Sequence, residues 1–91
     1  MKRELDFLIA EKVMRESTET VSEYTSDINA AMQVGDRFKR FQITKNGTAY
    51  SDDERYRGAV LGEFGTCEAF APTASLALCL AALKAVGAEI T

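Results

Sequence analysis

The residues able to do chemistry in this chain are few, and their types point away from catalysis. There is no histidine among the 91 residues. The commonest general base near neutral pH is therefore missing. Cys67 and Cys79 are each expected in an apolar context, a setting that raises a thiol pKa and deprives it of nucleophilicity. Two cysteines without histidine do not make an ordinary zinc site, so no metal or other cofactor is expected. Asp52-Asp53-Glu54 brings three carboxylates together, but in a turn-like context that reads as solvated surface. Gly58, Gly62 and Gly65 are spread through strands and turns and form no phosphate-cradling loop. The chain reads as a non-enzyme.

Binding is easier to build from what is present. Arg55 and Arg57 are expected on one face of a strand with Tyr56 on the other, and Arg40, Gln42 and Thr44 on the polar face of the strand beside it. Guanidinium groups fork onto phosphates, and an aromatic ring can stack on a base. Two capped helix starts, Ser26-Asp27 and Thr73-Ala74-Ser75, would present backbone N–H groups that favour anions. The candidate ligand-binding residues are thus Ser26, Asp27, Arg40, Arg55, Tyr56, Arg57 and Thr73. Each has a plain alternative as a helix cap or as the solvated side of a sheet.

Charge supports a small anion over a nucleic acid backbone. The net charge is −3, which disfavours general binding to polyphosphate chains. Between Asp36 and Arg57, however, six bases meet four acids, while the remainder holds five bases and ten acids. The body is acidic and its middle mildly basic. No segment approaches the roughly 20 apolar residues of a membrane span. Met1-Lys2-Arg3-Glu4-Leu5-Asp6 turns acidic too soon for a signal peptide. A cytoplasmic protein with reduced cysteines is expected.

The elements that must position these residues follow from spacing. Leu5, Leu8, Ile9 and Val13 recur at helical intervals over Lys2 to Arg15, followed by a polar loop through Ser17 to Glu23. A second helix starts near Ser26, capped by Thr25 or Ser26, with Ile28, Ala31, Met32 and Gly35 inward. Phe38 to Thr44 reads as a strand with Phe41 and Ile43 on one face. Asn46-Gly47 reads as a tight hairpin, with Thr48-Ala49-Tyr50 returning. Arg55 to Glu63 and Thr66 to Phe70 read as further strands, joined by a turn at Phe64-Gly65. Thr73 caps a final helix that is apolar almost all round, and Gly87 offers its left-handed stop. A helix of that kind must be covered on several sides, by its own domain or by a second copy. The 46% apolar content suffices for one core, so residues 1–91 read as a single entire domain. The fold class expected is α+β, a three-layer α/β/α sandwich. Helices lie on both faces of an antiparallel meander of three to four strands, in the order ααβββ(β)α.

Three stretches resemble the phage ABA-sandwich family of small bacteriophage and prophage proteins. They are Leu8-Ile9-Ala10-Glu11-Lys12-Val13-Met14, Tyr24-Thr25-Ser26-Asp27-Ile28-Asn29-Ala30-Ala31, and Ala77 to Gly87. Members typically carry tryptophan after the first helix and within the second; this chain has none, and Met32 takes the second position. The resemblance implies a phage origin and the sandwich fold, and it brings no catalytic residues. Combined with the basic middle, it leads to an expected anti-defence role. The protein would be a homo-oligomeric sponge that sequesters a host immune signalling nucleotide. The alternative is a protein-interaction module, inhibiting a defence effector or serving as a replication adaptor.

Overall fold

A computed structural model describes residues 2–15, 22–62 and 65–87. The fold is α+β, with three helical regions and a three-stranded antiparallel sheet whose strands lie side by side in chain order. The elements in chain order are α1 (Lys2–Leu8), a π-helical segment (Ile9–Met14), α2 (Ile28–Gly35), β1 (Arg40–Lys45), β2 (Tyr56–Gly62), β3 (Gly65–Ala71) and α3 (Ala74–Ala85). The meander has three strands, the lower of the two numbers expected, and the order of helices and strands is the expected one. The helices, expected on both faces of the sheet, pack among the described residues on one face only, because α2 and the π-helical segment cover α3 and not the far side of the sheet.

The first helix runs on as foreseen but changes pitch. Its last six residues are π-helical, and Arg15 closes them in the left-handed region (φ 54°), its N–H donating to the carbonyl of Ala10. The widened turn buries Ile9, Ala10, Val13 and Met14 together. Asp6, one turn earlier, is buried and accepts from the Thr25 N–H at 2.8 Å and from its hydroxyl at 2.9 Å. These two bonds fasten the opening helix to the start of the α2 region.

Thr25 is thereby taken from the capping role expected of it. The cap of α2 is Asp27, whose carboxylate accepts from the Asn29 N–H at 2.9 Å. The inner face of α2 is also rotated from the expected one. Ala30, Ala31, Val34 and Gly35 are buried, whereas Ile28 and Met32 are 43% and 41% exposed. Small residues face inward because Gly35 lies on the ring of Phe41, which a Cβ at position 35 would meet at 2.6 Å.

The Asn46-Gly47 hairpin does not form. A two-residue turn of that type needs positive φ at both positions. Among the described residues only Arg15, Gly65 and Gly87 have it. Instead the chain from 46 to 55 is a longer connection containing a short 3-10 turn, Asp52–Glu54. Thr48-Ala49-Tyr50 is turn and bend, not a strand. Asn46 closes this loop itself, its N–H donating to the Arg55 carbonyl and its amide nitrogen to that of Glu54, both at 2.7 Å. The second hairpin pairs Gly62 with Gly65. Glu63 and Phe64, the expected strand end and turn, lie outside the described residues, as do residues 16–21 of the expected loop.

Helix α3 is the central element and touches all three strands, α2 and the π-helical segment. Thr73 caps it, accepting from the Leu76 N–H at 3.3 Å, and Gly87 follows it at φ 75°. Ala77, Leu78, Cys79, Ala81, Ala82 and Leu83 are all 0% exposed. Its covering therefore comes from its own domain. Against the sheet its backbone comes unusually near: a Cβ at Gly58 would stand 2.5 Å from the Ala77 carbonyl carbon and the Leu78 nitrogen. Phe41, Ile43, Gly58 and Val60 share this face of the sheet, where α2 also meets Phe41. We expect Gly58→Ala to destabilise the fold by about 2–3 kcal/mol or more, since the obstacle is backbone that cannot yield. Gly35→Ala meets only a ring and should cost less. Urea midpoints of the two variants would show the order, and equal midpoints would refute it.

Candidate functional site: the open face of the sheet

Side chains alternate across a strand, so the register fixes what the opposite face carries. It is a grid of three rows. Thr44, Arg57 and Phe70 lie abreast on β1, β2 and β3, then Gln42, Ala59 and Glu68, then Arg40, Leu61 and Thr66. Directly opposed neighbours stand about 5 Å apart. Arg40, Gln42, Thr66 and Glu68 are exposed, Thr44, Arg57 and Leu61 are half-buried, and Phe70 is 37% exposed. Ala59 at the centre is buried beneath its longer neighbours.

Arg57 holds the middle of the first row. Its Nε donates to the Glu68 carboxylate, a diagonal cross-strand ion pair. A pair this exposed is worth at most about 1 kcal/mol. It orients Arg57 without consuming it, because a guanidinium has five N–H donors and Nε supplies one. Arg40 has no ion-pair partner among the described residues and stands four residues along β1 from Thr44, roughly 13 Å away.

The structure brings together only part of the expected set. Arg40 and Arg57 share a face with Gln42 and Thr44, as the alternation implied. Arg55 is not in the strand. It follows the 3-10 turn, where its guanidinium meets Asp52 at 2.7 Å while its buried Nε has no partner. Tyr56 points to the α3 side of the sheet, opposite Lys45 and Ala71. Asp27 and Thr73 cap their own helices with the oxygens that were to greet a ligand. At α2 an anion would also meet the Asp27 carboxylate. Ser26 is exposed in the turn before that cap. Glu68 and Phe70 were missed as site residues; the signal was the alternation Thr66, Glu68, Phe70, visible once β3 is paired to β2.

Of the two cysteines, Cys79 is not placed for nucleophilic work. Cys79 is buried, and its thiol donates to the Tyr24 carbonyl at 3.3 Å. Burial, reinforced by the nearby negative charge of Asp6, pushes that thiol up to about 12 from 9.0. The folded state thus holds the proton more tightly than the unfolded chain. That stability is complete below pH 9 and is lost as pH rises toward 12. Cys79→Ala should flatten this alkaline decline in thermal melts. In the native wild type at pH 8, iodoacetamide should label half-buried Cys67 well before Cys79; equal labelling would contradict the placement.

Among the described residues there is no cluster of three or more metal-ligating side chains, and no helix long and apolar enough to cross a membrane. An antiparallel three-stranded sheet pressed on a buried, alanine-rich helix, with a polar grid on its other side, defines a small α+β sandwich protein. The chain belongs to the phage ABA sandwich domain family, whose model matches residues 7–83. A phage protein from Bacillus cereus ATCC 14579, known from its crystal structure, has the same fold. It aligns with a TM-score of 0.82 over 100% of this chain and 92% of that one, at 24% identity. No curated protein matches the sequence.

Proposed function

We propose that this protein acts by binding, and that it sequesters a nucleotide used as a host immune signal on the open face of its sheet. The observation that carries this reading is the placement of Arg57 directly opposite Phe70, with Arg40 on the same face. A ring for a base and guanidinium groups for phosphates are the two things a nucleotide requires. Membership in a phage protein family supplies the biological setting, in which a small binding protein can blunt a host defence. Cytoplasmic residence would follow from that role.

Glu68 makes the reading testable, because it competes with any incoming anion for Arg57. Calorimetry against a panel of linear and cyclic signalling nucleotides should detect a ligand for the wild type. Arg57→Ala and Arg40→Ala should each weaken it about tenfold or more, whereas Glu68→Gln, which frees Arg57, should tighten it several-fold. No heat with any nucleotide would overturn the proposal.

A second reading rests on Ile28 and Met32, which stand exposed one turn apart on α2. Exposed apolar pairs of this kind suit a protein partner, so the chain could instead inhibit a defence effector or act as a replication adaptor. Recovery of a stoichiometric host protein, lost on Met32→Asp, would favour it over sequestration.

A further inference from the structure

The two edges of the sheet are not equivalent. Asn46 donates to the Arg55 carbonyl, and Lys39 donates to that of Leu61. Together with the register, these bonds set the phase of the ladder. Residues 40, 42 and 44 of β1 direct their N–H and C=O groups inward to β2, so those of Phe41, Ile43 and Lys45 point outward. On the far side, closure of the second hairpin at Gly62 and Gly65 turns the groups of residues 66, 68 and 70 of β3 outward. There Lys84 reaches from α3 and donates its ammonium to the Glu68 carbonyl at 3.0 Å, blocking the middle of the edge. A lysine placed so is a recognised guard against strand addition. Among the described residues no hydrogen bond reaches the outward groups of Phe41, Ile43 or Lys45.

We infer that β1 is an interaction edge and that its occupant is β1 of a second copy of this chain, paired antiparallel about a two-fold axis at Ile43. The evidence is the strand's self-complementarity. With Ile43 facing Ile43, Phe41 faces Lys45, Gln42 faces Thr44, Arg40 faces Asn46 and Lys39 faces Gly47. No cation meets another. Sliding the register two residues toward the start of the strand would set Lys45 against Lys39. The chosen register also engages all three outward residues of each copy, for about six interchain hydrogen bonds. Phe41 and Ile43 of both copies would then meet on the α3 side, and the two open faces would join into one six-stranded surface. Homo-oligomer formation thus falls to β1 and not to α3, most of whose apolar residues are already covered. This inference is independent of what the open face binds.

Sedimentation velocity of the full chain should show a particle of twice the chain's mass. Lys45→Pro removes an outward N–H at an exposed edge position, where proline is tolerated, and should yield monomer. Mixing Gln42→Cys with Thr44→Cys under mild oxidation should give a crosslinked dimer on a non-reducing gel, while either variant alone should not. The crosslink decides the matter even if the proline variant fails to fold. A wild type that stays monomeric at about 100 µM would overturn the inference. So would a dimer that gives no Gln42–Thr44 crosslink.

Discussion

Everything in this fold depends on the distance between α3 and β2, and that distance is set by a missing side chain. At Gly58 the helix backbone occupies the space where a Cβ would stand. Farther along, a Cβ at Gly62 would stand 3.7 Å from the Cβ of Ala85, in ordinary contact. From Gly58 to Gly62 a strand rises about 13 Å, and from Ala77 to Ala85 a helix rises about 12 Å. The two repeats nearly coincide, so α3 runs along β2 in the same direction with alanines laid over glycines. Ala77, Ala81 and Ala85 form the fitting stripe. Larger residues at these positions would lift the helix from the sheet and open the core.

Close approach has consequences on both sides. A helix that near the sheet must bury its remaining circumference elsewhere, which explains why Leu78, Cys79 and Leu83 are sealed by α2 and the π-helical segment. Cys79 is held there with its thiol on the Tyr24 carbonyl, near the Asp6 carboxylate that Thr25 already engages. The apolar demand of the chain is met on that side. The other face of the sheet is left free to carry arginine, glutamine, threonine and glutamate, with Ala59 as its small floor.

How much of this could be read beforehand varies with the type of signal. Thr73, Lys84 and Gly87 delimit α3 correctly because capping is a local backbone requirement, met by a residue's own chemistry. The alternation of Phe41 and Ile43 likewise located β1 and its two faces. Asn46-Gly47 misled, because a strong local turn preference was overruled by the amide of Asn46 bonding across a ten-residue connection. Thr25 misled for a related reason: a buried carboxylate nineteen residues earlier claimed it. Arg55, expected beside Arg57 on one strand face, lies after the 3-10 turn and is held by Asp52, while Tyr56 and Arg57 take opposite faces as alternation implied. Partners distant in sequence decided the first two of these, and only a register could name them.

Glu68 shows how the site and the core are joined. Its carbonyl receives the Lys84 ammonium from the last turn of α3, and its carboxylate receives Arg57 on the open face. One residue thus ties the buried helix to the edge strand through its main chain and positions the basic group of the grid through its side chain. The carbonyl contact fixes where β3 sits along α3, and the carboxylate then fixes where the guanidinium lies over Ala59. A ligand that draws Arg57 away breaks only the second bond, which is exposed and weak. The first, and with it the seating of α3 on the sheet, is left intact. The open face can therefore rearrange its charges without cost to the core that presents them.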